Sequence, residues 1–167
     1  IVKLQQGTQG IGTMIAETPQ AVTSLLETLW AMGQDIILQE YIAESKGRDL
    51  RAIVVGGRVV AAMRRQAKRG EFRSNLHRGG LAVRVDLPRD YVRAAVESAR
   101  VMGLEVAGVD MLEGKHGPKI LEINSSPGLE GIERASGIDV AGALILHAER
   151  YVLKRHRGSK RKDAVIE

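Results

Sequence analysis

The chain has 167 residues, 44% of them hydrophobic, and a formal net charge of +5. That length allows one well-buried core, shared at most between two lobes. Because the chain has no cysteine, a disulfide framework, a thiolate nucleophile and a cysteine-ligated zinc are excluded. No apolar run is long enough to span a membrane and no secretory signal stands out, so we expect a cytoplasmic protein.

The first third of the sequence predicts a small sheet with one helix. Three short strands are expected, over residues 1–4, 14–17 and 36–39, the last of them buried. Thr18 is a suitable helix cap and Pro19 a suitable first helical residue. These residues predict a helix that ends near Met32, with Gly33 just beyond it.

A glycine-rich loop, GTQGIG over residues 7–12, follows the first strand. Its glycines would let backbone amides approach an anion closely, although an ordinary hairpin turn is almost equally compatible with the spacing. The loop is neither a P-loop nor a dinucleotide-binding fingerprint. Lys3 precedes it, and a lysine that points inward from a strand needs an anionic partner. The alternative is a lysine on the exposed face of an edge strand.

The middle of the chain predicts a strand end followed by a hairpin. Gln39-Glu40-Tyr41-Ile42 leaves a strand, and such an end can bind adenine through its backbone and ribose through an acidic side chain. Gly56-Gly57 then separates two predicted strands, Arg48–Val55 and 58–65. Asp49 and Arg51 share one strand face, where they form either an ion pair with each other or part of a site.

Positive charge is concentrated in two clusters. The internal cluster runs from Arg64 to Arg78 and overlaps the segment FRSNLHRGG at 72–80, which mixes cations with hinge glycines. A transferring phosphoryl group is held mainly by positive charge and positioning, so this segment is typical of a mobile loop that stabilises phosphate. The second cluster lies at 154–162, where a solvated tail is the simplest interpretation.

The last third predicts a strand, two helices and a second hairpin. The strand is expected at 81–85 and the first helix at 88–102, with Gly103 beyond it. The hairpin would pair 106–112 with 119–124. Asp139 caps the final amphipathic helix.

That second hairpin predicts a metal site. If it is centred near His116, Asp110 and Glu122 lie opposite each other, and two carboxylates that close repel unless a cation separates them. Asn124 projects from the same face as Glu122. Hard oxygen ligands of this kind suit magnesium or manganese. The alternative is a solvated polar face on a half-buried sheet.

Taken together, these motifs resemble the ATP-grasp superfamily, and most closely the RimK-like ribosomal protein S6 glutamate ligases. The similarity extends to about Arg150 and rests on Lys3, GTQGIG, QEYI, GRDLR, FRSNLHRGG, GVD and EINSSPGLEGIE in that order. It implies an α+β ATP-grasp fold with mostly antiparallel sheets, helices packed on one face, and two lobes around a nucleotide cleft.

The resemblance also implies roles for individual residues. Those expected to bind ATP are Lys3, Gly7, Gly10, Gly12, Glu40, Tyr41, Ile42, Asp49, Arg73, Ser74 and Asn75. Among them, Arg73 and Asn75 would also act on the transferring phosphate or the acyl phosphate. Two Mg²⁺ ions, or Mn²⁺, would be bound by Asp110, Glu122 and Asn124.

The chemistry implied is ATP-dependent ligation. A substrate carboxylate attacks the γ-phosphate to give an acyl phosphate and ADP, and an amine then displaces phosphate to form an amide. The expected substrates are glutamate and the acidic C-terminal tail of ribosomal protein S6, with a homotetramer by analogy. Small-molecule or carrier-protein acceptors are the alternative, and a non-catalytic nucleic-acid-binding module is a weaker one, since there are few aromatic residues for stacking.

The resemblance divides the chain into three parts: residues 1–42 as the rest of the first, lid subdomain, 43–153 as the second subdomain with the metal site, and 154–167 as a disordered tail. An N-terminal domain and another phosphate-binding lysine are expected before Lys3, so this chain is expected to hold most of the metal and nucleotide site but not all of it. Some ATP-grasp ligases have an arginine two residues before the metal aspartate. Here that residue is Gly108, so Arg73 or another cation would replace it.

Overall fold

The computed structural model describes residues 1–6, 11–74 and 79–163, the last ten of these by their backbone alone. Two antiparallel sheets organise the described chain, a three-stranded one near the N-terminus and a five-stranded one after it. This agrees with the α+β architecture expected from the sequence. In the part of the chain described, no helix is long and apolar enough to cross a membrane.

The small sheet has the order β2-β1-β3 and contains β1 (Val2–Leu4), β2 (Thr13–Met14) and β3 (Ile36–Leu38). Helix α1 (Pro19–Ala31) lies between β2 and β3, and the hydroxyl of Thr18 accepts the N–H of Ala21 at 3.1 Å, as the capping prediction required. No residue of α1 is buried. The expectation that β3 is a buried strand is therefore wrong: Ile37 and Leu38 are 45% and 56% exposed, because no covering element packs on them in the described chain.

The large sheet has the order β6-β5-β4-β7-β8. Its strands are β4 (Arg48–Val55), β5 (Arg58–Gln66), β6 (Leu81–Arg84), β7 (Val106–Gly114) and β8 (Gly117–Asn124). A short 3₁₀ turn, Ala43–Ser45, joins the two sheets. Gly56 and Gly57 both have positive φ in the β4–β5 turn, which confirms the predicted hairpin.

Side-chain alternation along β4 gives the large sheet two different faces. Leu50, Ala52 and Val54 point to one face, where they pack with Ala95 and Ala99 of α2 (Arg89–Val101). Ile53 and Val55 point to the other face, where Ile132 of α3 (Glu130–Ser136) and Val140 of α4 (Val140–Asp163) cover them. Helices therefore pack on both faces of this sheet, and the expectation of one covered face is wrong.

The second face of the large sheet has an apolar end, covered by α3 and α4, and a charged end that faces the candidate site. Asp49 and Arg51 lie on the same face of β4 as Ile53 and Val55 but outside the apolar cluster, and they line a cleft together with residues of the small sheet. One end of the face is thus apolar core and the other end is charged. The small sheet stands opposite the charged end.

The C-terminal third departs from the sequence prediction in two ways. Helix α3 was not expected, since its seven residues have no side-chain N-cap and give little periodic signal. Helix α4 begins after Asp139, whose carboxylate accepts the N–H of Gly142 at 2.7 Å, as predicted. It continues to Asp163, so the backbone is helical over most of the segment expected to be a disordered tail.

Candidate active site

A cleft with a volume of about 840 Å³ separates the two sheets. Both sheets and the loop that precedes β6 contribute to its walls. Ten of the predicted site residues line it, namely Lys3, Glu40, Tyr41, Ile42, Asp49, Arg73, Ser74, Asp110, Glu122 and Asn124. Residues predicted from six separate sequence motifs therefore face a common space.

Lys3 lies on the central strand of the small sheet. It pairs with Thr13 on β2 and with Ile37 on β3, and all three residues line the cleft. Val2, its neighbour in β1, is 1% exposed. Because β1 has a partner on each side, the alternative of a lysine on an edge strand is excluded, and the ammonium group of Lys3 belongs to the cleft wall.

The segment between β3 and the 3₁₀ turn forms the connection between the sheets. Glu40 and Tyr41 are exposed, whereas Ile42 is only 8% exposed. The side-chain amide of Gln39 donates to the carbonyl of Leu121 on β8 at 3.4 Å. The segment predicted to hold adenine and ribose, residues 39–42, therefore lines the cleft and is hydrogen-bonded to the large sheet through Gln39.

The floor of the cleft is a buried ion-pair network. Asp110, which is 2% exposed, lies on β7 opposite Arg51 of β4. The Nε and Nη2 atoms of Arg51 donate to the two carboxylate oxygens of Asp110, each at 2.7 Å. On the other side of β4, Asp49 lies opposite Arg65 of β5. The two ion pairs are therefore set by strand register.

Arg65 joins these two pairs. Its Nε and Nη2 donate to the carboxylate oxygens of Asp49 at 2.6 and 2.5 Å, and Nη2 also donates to Oδ2 of Asp110 at 2.7 Å. The suggested Asp49–Arg51 ion pair is wrong, because each side chain instead bonds across to a neighbouring strand.

The ion-pair network shifts the pKa values of Asp110 and Arg65. Burial alone would raise the pKa of Asp110, but the hydrogen bonds from Arg51 and the charges of Arg65 and Arg51 outweigh burial and hold that pKa below its ordinary value. Burial likewise opposes the charge on Arg65, yet Asp49 and Asp110 raise its pKa. These shifts favour the ionised forms of Asp110 and Arg65, the two buried groups that face each other across β4.

The three predicted metal ligands meet at this floor. Asp110 and Glu122 are directly opposite each other in the β7–β8 ladder, as predicted, and the Asn124 amide donates to Glu122 at 3.3 Å. The described residues contain no cluster of three acidic or histidine side chains that could hold a metal. The third predicted ligand, Asn124, would contribute its amide oxygen, and this assignment stays a prediction. All the donors are oxygens, which fits a hard cation such as Mg²⁺.

Arg73 lies beside the cleft in the loop after β5, held by Glu71. Its Nε and Nη2 donate to Glu71 at 2.9 and 2.8 Å, and its guanidinium carbon lies 5.2 Å from the centre of the Phe72 ring. The hydrogen bond from Arg73 is the main reason that the pKa of Glu71 falls from 4.5 to about 2. The loop therefore presents an arginine with its own counter-ion.

The remaining predicted residues divide into two groups. Gly7, Gly10 and Asn75 lie outside the described residues. Gly12 closes the β1–β2 turn: its carbonyl accepts the N–H of Leu4 at 3.0 Å, its φ is +77°, and a Cβ there would lie 2.7 Å from the Leu4 side chain. This geometry gives Gly12 a role in the turn, while its predicted contact with phosphate stays a prediction.

Sequence reasoning missed several cleft residues, three of them arginines: Arg48, Arg65 and Arg134 line the cleft, and Arg65 bridges its floor. Arg65 appeared only as one member of a cation cluster. Its alternation with Met63 and Ala61, two residues that point into the core beside Ile53, was the available signal.

Comparison with known proteins supplies the family. The RimK-like ATP-grasp domain matches residues 1–147. A probable alpha-L-glutamate ligase from Picosynechococcus sp. is 56% identical over 150 residues, which cover 90% of this chain and 50% of that protein. Another protein of that name, from Rhodopirellula baltica, is 54% identical over 145 residues, covering 87% and 36%. The chain thus spans about half the length, or less, of these relatives.

Solved structures support the fold. D-alanine–D-alanine ligase from Bacillus anthracis superposes with a TM-score of 0.67 at 18% identity, over 92% of this chain and 55% of that one. The ATP-grasp ligase PsnB, solved with a minimal precursor, Mg and ADP, superposes with a TM-score of 0.65 at 23% identity, over 87% and 45%. At these identities the similarity shows the fold alone.

Proposed function

The chain belongs to the RimK-like ATP-grasp family, and from that premise we propose that it carries the nucleotide and metal site of an ATP-dependent carboxylate–amine ligase. The main observation in support is that one cleft is lined by Lys3, the Glu40–Ile42 segment and the Asp110–Glu122–Asn124 set. The relatives' name, probable alpha-L-glutamate ligase, supports glutamate as the amine substrate.

In this proposal the cleft binds ATP. The segment 40–42 holds the adenine and ribose, with Asp49 close by on the floor. Lys3, Arg73, Ser74 and Asn75 contact the phosphates, because developing negative charge is stabilised by fixed cations and hydrogen-bond donors. When bound, two Mg²⁺ ions, or Mn²⁺, would neutralise the phosphate oxygens, and Asp110, Glu122 and Asn124 would hold them.

The proposed reaction runs in two steps. A carboxylate oxygen of the acceptor attacks the γ-phosphorus, which forms an acyl phosphate and releases ADP. The amino group of glutamate then attacks the acyl carbon, which forms the amide and releases phosphate. Since Gly108 provides no side chain beside Asp110, we assign stabilisation of the tetrahedral intermediate to Arg73 on the loop or to another basic residue of the cleft.

We propose an acidic peptide tail as the acceptor, with the C-terminus of ribosomal protein S6 as the specific candidate. Arg48 and Arg134 are cleft arginines outside the Asp49–Asp110 network. Each forms an accessible ion pair, with Glu113 and Glu130 respectively, and the carboxylates of an acidic tail would compete for these arginines. PsnB, which shares the fold, was solved with its precursor peptide, and this supports a peptide acceptor. Small-molecule and carrier-protein acceptors remain the alternative. The proposed cellular location is the cytoplasm.

An oligomer, a homotetramer by family resemblance, is part of the same proposal. Helix α4 exposes Ile145, Leu146 and Val152, which are between 51% and 62% accessible. Such an apolar surface supports an interface between copies. Light scattering coupled to gel filtration would test it, and a monomer at all concentrations would contradict it.

The ligase proposal is tested by measuring ADP release with Mg²⁺, ATP, glutamate and an acidic peptide, against a dipeptide as the acceptor. Glu122→Gln should abolish turnover, because it removes a carboxylate ligand while keeping the side-chain shape. Glu97→Gln is the matched control, since Glu97 lies on α2 outside the cleft and pairs with Arg100. Wild-type rates in Glu122→Gln would contradict the metal assignment, and faster turnover with the dipeptide would contradict the peptide acceptor.

A further inference from the structure

We propose that Arg65 is a positioning residue, which fixes the orientation of the Asp110 carboxylate and ties it to Asp49. This inference rests on the proposed function, because it concerns the metal ligand of that site. In this inference, a side chain on β5 orients a proposed metal ligand on β7, two strands away in the sheet.

The inference rests on the hydrogen bonds of the Arg65 guanidinium group. Only one nitrogen of Arg65, Nη2, contacts both carboxylates: it lies 2.5 Å from Oδ2 of Asp49 and 2.7 Å from Oδ2 of Asp110. The Nε–H bond to Oδ1 of Asp49, at 2.6 Å, completes a two-pronged contact that fixes the plane of the guanidinium group. With that plane fixed, the second hydrogen of Nη2 can point in only one direction, toward Asp110.

Stability alone does not account for this network. Asp49 and Arg65 are each 5% exposed and Asp110 is 2% exposed. A buried ion pair is often no more stabilising than apolar residues of similar volume, because desolvation of the charges offsets their attraction. The network lies at the charged end of the sheet face, while the other end has an apolar core. Its position at the floor of the cleft therefore points to a role in the site.

The hydrogen bonds also determine which oxygen of Asp110 can accept a further partner. Oδ2 accepts two N–H groups, one from Arg51 and one from Arg65, whereas Oδ1 accepts one, from Arg51. A carboxylate oxygen has about two lone-pair sites, so the unused capacity lies on Oδ1. Without Arg65, both oxygens would have one unused site and the carboxylate would lose this asymmetry. A lysine cannot reproduce the contact, because an ammonium group lacks the planar fork.

The test is a Mn²⁺ titration followed by electron paramagnetic resonance, with ADP present at saturation. Arg65→Lys should weaken Mn²⁺ binding by about 10- to 100-fold, the usual effect of removing a group that orients a metal ligand. Arg64→Lys is the matched control. Arg64 is the adjacent residue on β5, points to the opposite face and pairs with Glu113. We expect Mn²⁺ binding in Arg64→Lys to equal that of the wild type.

Melting temperatures of all variants separate positioning from folding. A lower melting temperature of Arg65→Lys with unchanged Mn²⁺ affinity would overturn the inference and leave the proposed function standing. If Arg65→Lys does not fold, Asp49→Asn serves instead: it weakens the anchor of Arg65 without touching Asp110, and unchanged Mn²⁺ affinity there would also overturn the inference. A wild-type protein that binds no Mn²⁺ with ADP would overturn the proposed site itself, and this inference with it.

Discussion

Pro127 packs directly against Gly108. A Cβ built on residue 108 would lie 2.6 Å from the Cβ of Pro127 and 3.6 Å from the Ile53 side chain. The space beside Asp110, where some ATP-grasp ligases have an arginine, is therefore occupied by the turn that follows β8. This turn begins just after Asn124, the last residue of β8. The absence of a side chain at Gly108 therefore allows the turn to pack close to β7, next to a proposed metal ligand.

Gly108→Ala should lower the free energy of unfolding by about 1–3 kcal/mol, because the added methyl group must push the Pro127 turn away. Urea denaturation measures the change. Gly128→Ala, in the same turn, is the control: no heavy atom lies within 4 Å of its Cβ position, and we expect a change of about 0.5 kcal/mol or less. Equal effects of the two substitutions would contradict the packing argument.

Arg73→Ala should reduce kcat by a larger factor than it raises the KM for ATP. The proposed role of Arg73 is to stabilise charge that develops during transfer, and loss of a comparable donor reduces kcat by about 10²- to 10³-fold. Steady-state kinetics with varied ATP give both constants. Arg93→Ala, on α2 outside the cleft, should behave as wild type, and unchanged kcat in Arg73→Ala would remove Arg73 from the mechanism.

The Glu71–Arg73 pair should make stability depend on pH in the acid range. The folded-state pKa of Glu71 is about 2, below its ordinary value of 4.5, so the pair stabilises the fold above pH 4.5 and this contribution is lost as pH falls from 4.5 toward 2. Unfolding free energies of wild type and Glu71→Gln should differ at pH 6 by about 1 kcal/mol or less, as for partly exposed pairs. The difference should shrink toward pH 3, and a difference that grows on acidification would contradict the assignment.

Mg²⁺ alone should bind weakly, and Mg²⁺ with nucleotide should bind well. Arg51 and Arg65 balance the charges of Asp49 and Asp110, so Glu122 is the one predicted ligand in the described chain whose negative charge is not paired with an arginine. Phosphates must therefore supply most of the additional charge that holds the cation. Thermal unfolding tests this: Mg²⁺ should shift the midpoint little by itself and by several degrees with ATP at 100 times its Kd, a stabilisation of about 2.7 kcal/mol. A full shift with Mg²⁺ alone would contradict the charge argument.

The β7–β8 hairpin shows what local pattern can predict. Pairing of Asp110 with Glu122 was expected from a turn centred on His116. The turn in fact consists of Lys115 and His116, between the paired residues Gly114 and Gly117. A bulge then shifts the register by one residue between Met111 and Asp110, and this shift brings Asp110 opposite Glu122 as expected. The sequence contains the hydrophobic alternation that selects the face, but it does not mark the bulge, which leaves Leu121 of β8 without a partner on β7.

The arginine network shows what local pattern cannot predict. Asp110 receives hydrogen bonds from residues 59 and 45 positions away, and those contacts exist only because β4 lies between β5 and β7. Strand order is a long-range property, so the sequence supports the identity of the acidic ligands but not the choice of their cationic partners. The short helix α3 escaped prediction for a related reason: packing of Ile132, rather than propensity, holds it.

The central position of β4 has a consequence for how the molecule moves. A strand with hydrogen-bonded neighbours on both sides, and apolar residues less than 7% exposed, belongs to the part of a protein that opens last. Its amide protons at 50–54 should be among the slowest to exchange with deuterated water, whereas those of α1, which has no buried residue, should exchange early. The floor of the cleft would then persist through local openings of the small sheet, and Asp49 and Asp110 would keep their spacing while Lys3 moves with the opposite wall.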